Sequence, residues 1–275
     1  MKPEAKEYSV LMSVYEKEQP KFLAESMESM LGQSVPPKDF VLMCDGALTD
    51  ALDAVIAEKV KEYPGLFQII RLETCGGLGN ALAIGLKKCR CERVARMDSD
   101  DISALDRCER QLQIFEEQDV AIVGSNIVEF EGDVRNSRTI RCVPETDAQI
   151  RRFAKRRNPF NHPSVMFQKS VVLKVGNYQD CKGFEDYYLW VRLLKNGYRG
   201  YNIQENLVHM RTDAGMYERR GSVSYAWLAL KARWKIHRTG YARLSDFLVS
   251  ALGQLALSIL PTDFRRKIYG RILRK

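Results

Sequence analysis

The stretch Val94-Ala95-Arg96-Met97-Asp98-Ser99-Asp100-Asp101 runs from a strand-like start into three carboxylates within four positions. Like charges this close repel, so a folded chain keeps them only with compensation. A hard divalent cation, Mn²⁺ or Mg²⁺, supplies it and brings phosphate ligands of its own. An Asp-x-Asp at a strand-to-loop corner therefore points to a site for a metal with a nucleotide diphosphate. The plainer alternative is a solvated acidic turn that also caps a helix starting near Ala104. Its company decides between them.

Outward from this stretch, apolar strand-length runs alternate with helical patterns. Strands are predicted over 8–14, 40–44, 67–72, 94–97 and 120–124. Helices are predicted over 20–32, 50–62 (capped by Thr49), 80–88 and 106–118. This rhythm implies an α/β fold, a mostly parallel sheet with helices on both faces. In such sheets ligands sit beyond the carboxyl ends of the strands, near a switch in strand order. Ser13-Val14-Tyr15-Glu16, Asp45-Gly46, the loop 76–79 and Asp98–Asp101 all occupy those ends.

After residue 125 the rhythm changes. Strands over 127–130 and 134–140 are predicted to form a hairpin around Gly132-Asp133. A basic helix over 146–157 follows, and another should start near Glu185.

The seven cysteines form an odd set without a Cys-x-x-Cys pair, so a zinc ribbon or disulfide framework fits poorly and reduced cytosolic thiols are expected. The polar residues 1–7 lead straight into a strand, which argues against a signal peptide. Net charge is +8, but residues 211–275 alone hold 14 Lys and Arg against 4 Asp and Glu. A basic tail of this kind suggests a polyanionic partner, nucleic acid or an anionic membrane.

Six motifs appear in order: Ser9–Glu16, Val41–Gly46, Gly76-Gly77-Leu78-Gly79-Asn80-Ala81-Leu82, Met97–Asp101, Asn161–Phe167 and Gly183–Trp190. Together they resemble the family 2 glycosyltransferases, and more narrowly the bacterial enzymes that build O-antigen, capsule and exopolysaccharide. The resemblance covers residues 8–220. It implies a Rossmann-like GT-A fold over 1–220, with 221–275 as a C-terminal basic, helical appendage. It also implies a divalent metal, a nucleotide-sugar donor and transfer with inversion to a glycan or polyprenyl-diphosphate-linked acceptor.

Each motif also has its own chemistry. A carboxylate at Asp45 can accept the imide N–H of uracil or thymine, which cytosine and adenine lack, so it would select UDP- or dTDP-sugars. A turn-forming Asp-Gly is the plainer reading, and Cys44 stands where relatives carry a further acid. By resemblance, Ser13, Tyr15 and Glu16 close the first strand around the base. The Gly76–Gly79 loop exposes backbone N–H groups before a helix, which suits a phosphate or ribose contact, with Asn80 beside it. The resemblance assigns Asp98 to the ribose or the metal, and Asp100 to the metal. It makes Asp186 the base that deprotonates the acceptor hydroxyl and sets Glu185 beside the acceptor. His162 falls near the donor sugar, while His209 and Arg211 fall at a further phosphate or metal contact. Arg219-Arg220 could close over the diphosphate. A glycosidase would instead need a spaced pair of carboxylates.

Residues 247–260 form a fourteen-residue run without charge, shorter than the ~20 that span a bilayer. Followed by Arg265, Arg266, Lys267 and Arg271, the run suits peripheral attachment to the inner face of the cell membrane. The alternative is a helical hairpin packed on the catalytic domain. Two competing functions stay open: a sugar-nucleotide nucleotidyltransferase and a non-catalytic basic nucleic-acid or polysaccharide-binding module. The first would place a basic Gly-rich loop where Ser13–Lys17 stands. The second leaves Asp45, Asp98, Asp100 and Asp186 without a purpose.

Overall fold

A computed structural model describes residues 7–136, 139–212 and 222–259. One nine-stranded sheet organises them, with β1 (Tyr8–Val14), β2 (Asp39–Cys44), β3 (Phe67–Arg71) and β4 (Arg93–Asp98) forming its parallel half in the order β3-β2-β1-β4. β1 thus lies between β2 and β4, so the strand order switches beside it. Ser13 is level with Asp98 at that point. The other half contains β5 (Ile102–Ser103), β6 (Ile122–Phe130), β7 (Thr139–Arg141), β8 (Met166–Gln168) and β9 (Gly200–Arg211). It continues the order as β4-β8-β6-β9-β5, with β8 antiparallel to both β4 and β6.

Alternation along β1 sends Leu11 to one face and Val10 and Met12 to the other, seeding two cores. Helices α1 (Pro20–Leu31), α2 (Asp50–Glu62) and α4 (Arg107–Glu117) cover the second face through Leu23, Met27, Ile56 and Leu112. Helices α3 (Leu78–Lys88), α6 (Lys169–Lys174) and α7 (Glu185–Lys195) cover the first through Leu82, Val172, Leu189 and Trp190. α3 lies directly on the sheet at Gly85, where an added Cβ would come 2.7 Å from Leu11 and Met43.

Differences from expectation cluster in the second half. The strand expected over 120–124 and the hairpin arm over 127–130 are one strand, β6. Its buried polar centre is satisfied, because Ser125 N–H donates to Ser164 Oγ at 3.0 Å and Asn126 Oδ1 accepts from Val143 N–H at 2.9 Å. The other arm, expected over 134–140, shortens to β7, preceded by a 3₁₀ turn at Val134–Asn136. The helix expected over 146–157 is α5 (Asp147–Phe153), begun by a capping box at Thr146 and Gln149. α4 (Arg107–Glu117) lies within the 106–118 expected for it, with Asp106 rather than the acidic turn before Ala104 at its N-cap.

Two C-terminal helices follow, α8 (Val223–Arg238) and α9 (Leu244–Ile259). Ala232 and Ile236 of α8 pack against Tyr187, Tyr188 and Val191 of α7. α9 lies on α8, with Phe247 edge-on to Trp234 at 5.4 Å. The helical region is therefore docked on the sheet domain. Among the described residues, no helix is long and apolar enough to cross a membrane. Arg219-Arg220 and the basic residues from 265 onward lie outside the described residues.

Candidate active site

A cleft of about 1010 Å³ opens over the carboxyl ends of β1, β2 and β4, lined by Ser13, Tyr15, Glu18, Asp45, Asp98 and Asp100 among others. Glu16, Asn80, His162, Glu185 and Asp186 are not in its lining. Tyr15 projects into it, 45% exposed.

The acidic loop is held from three sides. Ser26 Oγ donates to Asp98 O at 2.6 Å and Ser99 Oγ to Glu18 Oε2 at 2.6 Å. β5 pairs with β9 at Ile102–His209, which brings Arg211 N–H to Asp101 Oδ1 at 2.8 Å. The Arg211 side chain is already committed. Its Nε donates to Asp100 O and its Nη2 to Glu25, and the guanidinium lies 3.8 Å from the Phe22 ring centre. It serves the loop as a strut, and His209 beside it is half-buried and outside the cleft.

One carboxylate oxygen each from Asp98, Asp100 and Asp101 lies within 4.8 Å of the others. Burial, then Asp98 and Glu18, push the Asp100 carboxyl up to about 7, and buried Asp101 is also raised. Asp101 Oδ2 is buried without a hydrogen-bond partner among the described residues. Crowded oxygens, excess negative charge and an orphaned acceptor fit a hard divalent cation. A carboxyl that holds its proton more tightly when folded stabilises the fold below its unfolded value. That contribution is lost as pH rises through about 7. Metal-free protein should therefore melt higher at about pH 6 than at about pH 8, and Mn²⁺ should raise the melting temperature more at the upper value. A flat profile with an equal Mn²⁺ effect at both ends would contradict this.

Arg96 links the acidic loop to the second half of the site. It is 1% exposed, and its Nη2 pairs with Asp98 Oδ1. Its positive charge also lowers the proton affinities of Asp100, Asp101, Asp186 and His162. Asp186 lies in the first turn of α7, where Asn158 Nδ2 donates to its Oδ2 at 2.6 Å. Burial raises its pKa; the Tyr187 N–H, Asn158, Arg141 and Arg96 offset only part of that. Glu185, raised for the same reason, packs on the start of α3, where a Cβ at Gly79 would meet its Cγ at 2.6 Å. His162 Nε2 is 3.0 Å from the Tyr178 hydroxyl, with Trp190 edge-on, and burial then Arg96 hold the imidazole neutral.

The glycine loop differs from expectation. Gly76 and Gly77 N–H donate to Asp45 at 2.7 and 2.9 Å, so these two donors are not free for a phosphate. Asp45 instead builds the loop that walls the cleft. Sequence reasoning also missed Glu18 and Asn158 and gave Arg96 no role. Arg96 alone left a signal, a cation inside an otherwise apolar strand, which demands a partner.

Comparisons with known proteins identify the family and the fold. The model of "Glycosyl transferase family 2" matches residues 9–181. A UDP-Gal:alpha-D-GlcNAc-diphosphoundecaprenol beta-1,3-galactosyltransferase of Escherichia coli is 36% identical over 276 residues, covering 100% of this chain and 99% of its own length. The amylovoran biosynthesis glycosyltransferase AmsE of Erwinia amylovora is 34% identical, covering 96% and 98%. Among solved structures, the mannosyltransferase PcManGT of Pyrobaculum calidifontis, in complex with GDP-Man and Mn²⁺, superposes with a TM-score of 0.64 at 16% identity, covering 94% of this chain and 78% of its own. S. aureus TarS 1-349 with UDP-GlcNAc also gives 0.64, at 18% identity, covering 96% and 75%. These likenesses show a GT-A fold. The nucleotidyltransferase and binding-module readings are set aside, because this chain belongs to the family 2 glycosyltransferases and is a transferase of sugars.

Proposed function

We propose that this enzyme uses a divalent metal to transfer a sugar, with inversion, from a UDP-sugar to a lipid-linked glycan acceptor in surface polysaccharide synthesis. The observation that carries the reading is the crowding of the Asp98, Asp100 and Asp101 carboxylates at the cleft, tied through Asp98 to one buried guanidinium, Arg96. Asp98 and Asp100 would hold Mn²⁺ or Mg²⁺, and buried Asp101 anchors their loop to β9. The bound metal supplies charge stabilisation to the departing diphosphate. Asp186 takes the acceptor hydroxyl proton as that oxygen attacks the anomeric carbon, and the bond electrons leave with UDP. Burial makes its carboxylate a stronger base than an exposed one. Asn158 aims it, Glu185 borders the acceptor, and neutral His162 supports the donor-sugar side.

Tyr15 would stack on the base, with Ser13 and Glu16 at the same strand end and Asn80 by the ribose. A carboxylate has about four acceptor sites, so Asp45 can hold its loop and still accept a uracil imide. Residues 1–220 would form the catalytic unit and 221–275 its appendage, resting on the inner leaflet through α9 and the basic residues beyond. Calorimetry with Mn²⁺ and UDP, dTDP, CDP and GDP tests the base assignment. UDP should bind tightest with dTDP next, and equal or tighter binding of CDP, whose base lacks that N–H, would remove Asp45 from the role.

A further inference from the structure

A second groove, of about 840 Å³, lies between α5, the turn that follows it and the start of α9. Five cations line it, Arg152, Lys155, Arg156, Arg157 and Arg243, against two acids, Glu145 and Asp246. Both acids are already engaged. Arg156 Nε bonds Asp246 at 2.8 Å, and Glu145 accepts from the Tyr201 hydroxyl at 2.8 Å. The side chains of Arg152, Lys155 and Arg243 are exposed; Arg152 and Arg243 have no carboxylate partner among the described residues, and Lys155 shares Asp246 with Arg156, which already bonds it. Positive charge left unpaired in a concave site calls for an anion with several oxygens.

Two features of the surroundings narrow the ligand. The groove neighbours the catalytic residues through the chain, since its lining residue Arg157 directly precedes Asn158, which holds Asp186, and Ala154, between the lining residues Phe153 and Lys155, accepts from the Tyr187 hydroxyl at 2.8 Å. On its other side, Arg243 directly precedes α9, which carries an exposed apolar stripe of Leu244, Leu248, Val249 and Leu252, the last 66% exposed. An anion that joins a sugar near Asp186 to an apolar chain along α9 is a lipid diphosphate.

We propose that this groove binds the diphosphate of the lipid-linked acceptor, with the lipid chain lying along the α9 stripe and the acceptor sugar reaching Asp186. The proposal rests on the transferase reading above. Phe247 faces Trp234 and Leu248 faces outward, so the helix presents a narrow apolar edge. That edge suits one lipid chain and shallow contact with a bilayer surface.

The test uses the full chain and three vesicle types: phosphatidylcholine alone, phosphatidylcholine with a long-chain polyprenyl diphosphate, and phosphatidylcholine with phosphatidylglycerol at matched charge. Sedimentation should show strongest binding to the polyprenyl diphosphate vesicles. An Arg152→Gln/Lys155→Gln variant should lose about thirtyfold of that affinity, the worth of two basic side chains at an anionic surface. Lys87→Gln/Lys174→Gln, which removes the same charge from exposed sites elsewhere, should not. Equal binding to phosphatidylglycerol vesicles would overturn the proposal in favour of a general headgroup contact. Free inorganic pyrophosphate binding as tightly as the vesicles would overturn the lipid part, and an undiminished Arg152/Lys155 variant would overturn the site. UDP affinity with Mn²⁺ is measured in parallel and should be the same in every variant. Failure of the unmutated protein to bind UDP would instead count against the donor reading, and the vesicle arms then judge the groove alone.

Discussion

Asp186→Asn leaves UDP affinity unchanged and lowers sugar transfer by about 10²–10⁴-fold, the scale of general-base catalysis. The fold survives, because Asn158 donates to this position and an amide oxygen can accept the same bond. Stability at neutral pH should not fall, since the substitution removes a buried negative charge whose proton affinity the fold already raises. A second effect separates a base from a mere binding group. In the unmutated enzyme, kcat should decline as pH falls through a value above the ordinary carboxylate range, and the variant should lack that limb. If the variant keeps more than a tenth of the transfer rate, the proton goes elsewhere.

Asp100→Ala should be nearly as damaging, by another route. UDP affinity and transfer should lose their response to Mn²⁺, with transfer down about 10²–10³-fold, the scale on which one charge-stabilising group acts in a closed site. The metal-free variant should melt at or above the unmutated protein at neutral pH, because Asp98, Asp100 and Glu18 repel one another there. A variant that unfolds, or one that responds to Mn²⁺ as before, would show that Asp100 is structural.

How far these assignments could be read from residues alone follows from physical range. β1 and α2 were legible to the residue, because an apolar run and a Thr49 cap are local signals. β9 escaped because its register shifts beside Asn126 break the alternation a strand should show. β6 looked like two pieces because Ser125 and Asn126 read as a loop until Ser164 and the Val143 backbone satisfy them. In the site, carboxylates at strand ends announced themselves by crowding. Their partners did not, since Glu18, Asn158 and the Asp45 contact with Gly76 and Gly77 arise between segments distant in the chain. Within the uncharged 247–260 run, Phe247 turns toward α8 while Leu248 and Leu252 stay exposed, a division that only the packing of the two helices could reveal.

The most direct test of the account follows UDP release by the unmutated enzyme from a panel of UDP-sugars, with a sugar diphosphate-lipid acceptor, in Mn²⁺ and after chelation. The account requires release that depends on both the acceptor and the metal, and a product of inverted anomeric configuration. Release that is indifferent to chelation, or a product that retains the donor configuration, would contradict it.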